Sequence, residues 1–164
     1  VGPLGERPLA LPEERPPEVP GPVGVDPLGG DDVLGRSALG PADPEVALGL
    51  VERQAAERYR LDLDRSSWHD ARRPDGTPVE IKAAKRVHRD GQPGNFKVYE
   101  QYHRRLREAG GFYVFAPYRV RGKGVEVLKW EMRHSSRLPR LHWHGGGEHR
   151  DSRQAKIGIV EIFG

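Results

Sequence analysis

The sequence predicts an α/β or α+β sandwich in which a mixed β-sheet is flanked by helices. Three observations carry this. A well-capped amphipathic helix opens at Pro44. A strong turn, Pro74-Asp75-Gly76-Thr77, joins two strand-like segments. A second helical stretch is then followed by further strands.

Asp43 is a good N-cap, Pro44 suits the first helical turn, and Glu45 suits its positive end. The helix should run from about Pro44 to Arg60. Leu61-Asp62-Leu63 and Ser67 to Arg72 read as short strands. Pro78 to Ala84 reads as the next, with Val79 and Ile81 alternating against Glu80 and Lys82. After a polar loop from His88 to Asn95, a second helix is expected over about Phe96 to Ala109. Its apolar stripe would be Val98, Tyr102, Leu106 and Ala109, and it would stop at Gly110-Gly111. Phe112 to Ala116 and Val125 to Trp130 read as strands joined by the basic loop Arg119–Lys123. Residues 132–155 read as irregular, and Lys156 to Phe163 as a closing strand.

Ten of the fifteen prolines and eight glycines lie in residues 1–44. The organisation expected is a Pro/Gly-rich, acidic, disordered arm over 1–42, with a short helix allowed near Asp32–Leu39, and a folded domain over 43–164. The net charge of +3 conceals an asymmetry. Residues 1–44 hold eight acids and three bases, a net −5; residues 45–164 hold 24 bases and 16 acids, a net +8. So basic a body favours a polyanionic partner. Cysteine is absent, which excludes disulfides, thiolate metal sites and cysteine nucleophiles. No apolar run approaches bilayer-spanning length and no secretory signal is visible, so no membrane partner is expected and a cytoplasmic location fits. A homodimer is an allowed assembly.

With Asp75-Gly76 at the hairpin tip, Arg73 faces Pro78, Ala71 faces Glu80 and Asp70 faces Ile81, to within one or two residues. Asp70 then lies near Glu80, and Glu80 and Lys82 share one face. Two carboxylates so placed repel unless a cation binds between them. Hard oxygen donors suit Mg²⁺ or Mn²⁺, which can activate a water towards a phosphodiester. Lys82 would stabilise the developing charge or position the water. An ordinary exposed hairpin is the competing reading.

On the first helix, Leu48, Val51, Ala55 and Tyr59 fall in one apolar stripe. Glu52 sits inside it, while Glu57 lies opposite with Arg53, Gln54 and Arg60. An acid among core-facing positions implies pairing or metal binding; the alternatives are a metal-site acid and an acid paired to a surface arginine.

These residues resemble the PD-(D/E)XK nuclease superfamily over about residues 44–117: Glu52 on the first helix, Asp70 on a strand, and Glu80-Ile81-Lys82 on the next, followed by a helix and a strand. Val79-Glu80-Ile81-Lys82-Ala83-Ala84 is the most family-like stretch. The resemblance implies a restriction-endonuclease-like core of order αβββαβ, with extra C-terminal strands. It also implies metal-dependent hydrolysis of phosphodiesters, usually in DNA. Asp70 and Glu80 would be metal ligands, Lys82 the catalytic lysine, and Glu52 an accessory acid and third candidate ligand. His69 stands where the pattern has proline, and Asp75 is a weaker substitute for Asp70.

Candidate nucleic-acid contacts are Lys85, Arg86 and Arg89 beyond the Lys82 strand, and Arg119, Arg121 and Lys123. Arg133, Arg137, Arg140, Arg150 and Arg153 could extend that surface. Trp130 and Trp143 read as core or as base-stacking residues. His142-x-His144-x4-His149, with His134, matches no familiar zinc spacing and reads as a solvated or DNA-facing loop. Two other functions remain open: a non-catalytic nucleic-acid-binding module of the same fold, and a protein-interaction module using the Pro-rich arm.

Overall fold

A computed structural model describes residues 40–145 and 152–164. The chain divides into two units, Val1–Ser37 and Ala38–Gly164. The expected helix near Asp32–Leu39 and all but the end of the 1–42 arm lie outside the described residues, as do His149 and Arg150.

Helix α1 spans Pro44–Tyr59, and the Asp43 carboxylate accepts the N–H groups of Glu45 at 2.9 Å and Val46 at 3.3 Å. Its buried positions are Ala47, Val51, Glu52 and Ala55. Ala47 therefore takes the inward place expected of Leu48, which is 36% exposed. Strands β1 (Asp62–Leu63) and β2 (Ala71–Arg72) are only two residues each. The expected strand from Ser67 thus shrinks to its end, and Asp70 stands just before it. Strand β3 spans Pro78–Lys85.

The β2–β3 hairpin pairs Ala71 with Val79 and Arg72 with Pro78, one residue away from the expected register. The reason is the loop. Gly76 donates to the Arg73 carbonyl at 2.8 Å, and Arg73 donates to Thr77 at 2.9 Å. Pro74, Asp75 and Gly76 therefore form a three-residue loop, with Gly76 at φ 85°, instead of a two-residue one.

Asn95–Tyr99 is strand β4, and helix α2 covers Glu100–Glu108. This corrects the longer expected helix. Phe96 and Val98 are buried while Asn95, Lys97 and Tyr99 are exposed, an alternation of period two that marks a strand. Strand β5 spans Phe112–Arg121, β6 Gly124–Val127 and β7 Glu131–His134. Strands β6 and β7 lie end to end along β5. The interruption falls opposite Ala116 and Pro117, where Pro117 has no N–H for a ladder. It also ends β6 before Trp130, and Arg119 and Arg121 belong to β5, not to a loop. Strand β8 is Gln154–Gly158, followed by the short helix α3, Ile159–Phe163. The closing strand ends early because the Glu161 carboxylate accepts the Gly158 N–H at 2.5 Å and starts a helical turn.

The main sheet has the order β1-β2-β3-β5-β6, with β7 also on β5; β4 and β8 form a separate antiparallel pair. Strands β3 and β5 are parallel, from Val79–Phe112 to Lys85–Tyr118. One face packs Val79, Ile81, Val114 and Ala116 against Ala47, Val51 and Ala55 of α1. The other packs Ala84, Tyr113 and Phe115 against Phe96, Val98, Leu106, Ile157 and Ile162. The result is a central mixed sheet flanked by helices, as expected. Among the described residues no helix is long and apolar enough to cross a membrane.

Candidate active site

The candidate residues gather where β2 leaves β3. Asp70 Oδ2 accepts the Ile81 N–H at 2.7 Å, so a side-chain oxygen serves the strand where no neighbouring strand carbonyl does. The backbone adds a second tie, from Asp70 N to the Val79 carbonyl at 3.0 Å. The Ile81 N–H that Asp70 holds lies between Glu80 and Lys82 in β3, which sets the Asp70 carboxylate beside that pair. Lys82 Nζ, on the same face of β3, donates to Glu80 Oε1 at 2.5 Å. Both side chains are largely covered, at 13% exposure for Glu80 and 16% for Lys82.

Burial pushes the Glu80 carboxyl above the ordinary carboxylate range, against the attraction of Lys82; the Asp70 charge adds to the rise. Glu52 is also raised. Burial is again the main cause, a hydrogen bond from Arg65 opposes it, and Asp70 raises it further. Asp70 is thus the acid felt by both others. Glu52 is 3% exposed, and its carboxylate is ion-paired with the outer residue Arg65. Of the two sequence readings of Glu52, the pairing to a surface arginine is the contact the structure shows.

Arg65 was not singled out by sequence. It lies between β1 and β2, and no local periodicity ties it to α1. His69 is 2% exposed and packs edge-on to Trp68. Arg72 Nη2 stands 3.2 Å from His69 Nε2. Because a guanidinium can only donate, Nε2 is the acceptor and the proton sits on Nδ1, which is buried without a partner. Asp75 is committed to the hairpin loop, where its carboxylate accepts the Thr77 N–H at 2.9 Å.

Among the described residues, no group of three His, Asp or Glu side chains is placed to hold one metal ion. Ile81 N–H, Lys82 and Arg65 each engage an oxygen of Asp70, Glu80 and Glu52 respectively. The donor set nonetheless suits a small hard cation. Mg²⁺ is held by one or two carboxylates and keeps several waters, so Asp70 and Glu80 suffice.

The basic candidates differ in their engagement. Arg119 and Arg121 both bind Glu126, at 2.9 and 3.1 Å. Arg133 binds Glu131 and the Ile162 carbonyl, and Arg153 grips Glu100 through two contacts of 2.6 Å. Lys123 sits at the β5–β6 turn, and Arg86 lines a separate hollow with Lys129 and Phe163. Lys85 and Arg89 form no ion pair among the described residues and line a groove that includes Lys82. Trp130 packs on the α1-side core and Trp143 on the opposite one. His134 Nδ1 is 2.6 Å from Ser136 Oγ, and the His144 backbone pairs with Gln154.

Residues 47–164 match a family model described as a PD-(D/E)XK nuclease superfamily domain. No curated protein and no solved structure matches the chain.

Proposed function

From the chain's membership of the PD-(D/E)XK nuclease superfamily, we propose that it is a divalent-metal-dependent nuclease that hydrolyses phosphodiester bonds, acting as an endonuclease on DNA. The observation that carries this reading is the meeting of Asp70, Glu80 and Lys82 at the β2–β3 divergence: Asp70 holds the Ile81 N–H, and Ile81 stands between the paired Glu80 and Lys82.

Asp70 and Glu80 would hold Mg²⁺ or Mn²⁺, which supplies a more acidic water and a counter-charge for the phosphoryl oxygens. The protein's own share follows from its charges. The carboxylates of Asp70 and Glu80 would supply the negative charge that draws a cation. The Ile81 N–H fixes the Asp70 carboxylate, so little freedom is lost when it acts. Lys82 Nζ, now donating to Glu80, is placed to donate to a phosphoryl oxygen as charge grows there. Lys85, Arg86, Arg89, Arg119, Arg121 and Lys123 are the candidate phosphate contacts.

The test is cleavage of plasmid, linear, single-stranded and branched DNA with Mg²⁺ or Mn²⁺. The wild type should cut, and Lys82→Ala should lose about 10²- to 10³-fold in rate. Equal inertness of the two proteins on every substrate would overturn the proposal.

A further inference from the structure

Beyond the hairpin, β3 is no longer paired with β2, and its edge from Ile81 to Lys85 borders a groove. One wall is the start of α1, at Pro44 and Leu48. The other is the outward side of β4, carrying Asn95, Lys97 and Tyr99. A close approach brings this second wall in: a Cβ on Gly94 would lie 1.9 Å from the Lys85 carbonyl oxygen. Glycine is therefore what lets the backbone leading into β4 press against the end of β3.

The groove's chemistry is one-sided. Lys85, Arg89 and Lys97 make no ion pair among the described residues. The only acid described along its lining, Asp90, already accepts the Gln92 N–H at 3.0 Å. Beside these cations is an aromatic ring open to solvent. Tyr99 is 37% exposed and is held edge-on by Tyr102 at 5.9 Å. A basic track interleaved with an exposed aromatic side chain suits unstacked bases, because every base offers a π-face. In a continuous duplex those faces are stacked on one another, and Tyr99 would find no open π-face to meet.

We propose that this groove binds an unpaired DNA strand and leads it to Lys82. Lys85, Arg89 and Lys97 contact the backbone, and a base stacks on Tyr99. The preferred substrate is then single-stranded or branched DNA over continuous duplex. The inference deepens the nuclease reading and rests on it for the direction in which the strand runs.

The test is fluorescence anisotropy of labelled single-stranded and duplex oligonucleotides of one sequence, with the full chain and in EDTA so that nothing is cut. The single strand should bind more tightly. Tyr99→Ala should weaken single-strand binding about tenfold and leave duplex binding unchanged, while Tyr99→Phe restores it. Lys97→Ala should weaken both and lower the salt slope by about one. Duplex binding as tight as single-strand binding, or an equal loss of both with Tyr99→Ala, overturns the proposal. Lys82-dependent cleavage without strand preference would remove this inference and leave the nuclease reading. Single-strand binding through Tyr99 without any cleavage would do the reverse.

Discussion

The Asp70 carboxylate receives the Ile81 N–H at 2.7 Å, which ties the acid to the strand that bears Glu80 and Lys82. The bond gives Asp70 a structural role beside its proposed chemical one, and the two can be separated.

Asp70→Asn keeps an oxygen to accept the Ile81 N–H but removes the charge. Stability should change by less than about 1 kcal/mol, while cleavage and Mn²⁺ binding are lost. Asp70→Ala leaves that N–H without its partner and should cost about 1–3 kcal/mol as well. Urea denaturation paired with calorimetry checks this; equal stability loss in both variants would deny the structural role.

Arg65→Ala strands the buried Glu52 carboxylate without its ion pair. Glu52 keeps its proton to higher pH in the native chain than in the unfolded one. Its contribution to stability therefore falls as pH rises above the ordinary carboxylate range. Removing Arg65 deepens that fall. The variant should lose about 1–3 kcal/mol at pH 8 and much less at pH 4.5, read from urea midpoints at the two values. Glu52→Gln in the Arg65→Ala background should restore most of the loss at pH 8.

His103, on α2, lies 2.9 Å through Nδ1 from the Tyr113 hydroxyl. Burial, helped by Arg107, pulls its pKa down from 6.5 to about 4. Between those values the unfolded chain takes up a proton that the native chain refuses. Stability therefore rises with pH through this window and is lost as pH falls through it. His103→Gln can still bond the hydroxyl and should flatten the slope there, measured by thermal melts from pH 4 to 7.

The parts of this fold governed by local chemistry were legible in the sequence. Asp43 and Pro44 announced α1, and the Pro74–Thr77 segment announced the hairpin that brings Asp70 to Glu80. The register slipped by one residue because Pro74, Asp75 and Gly76 make a three-residue loop, which composition does not distinguish from a two-residue one. Glu52 was visible as an acid in an apolar stripe, although Ala47 and not Leu48 completes that stripe. Strand β4 was misread because Val98, Tyr102 and Leu106 fall four apart by accident across a strand–helix junction. The alternation of Phe96 and Val98 with Lys97 and Tyr99 was the signal that could have found it. Arg65 was not legible, because its pairing with Glu52 depends on where a loop crosses a helix.

Among the described residues, strand β4 takes its strand partner from β8, far along the chain, whereas the main sheet is complete by His134. The hairpin with its acids is a local pairing, whereas Phe96 and Val98 meet Ile157 and Ala155 only across a long stretch of chain. Closing so long a loop carries an entropic cost that the hairpin does not. One wall of the groove beside the chemical residues thus depends on the far end of the chain, while those residues themselves do not.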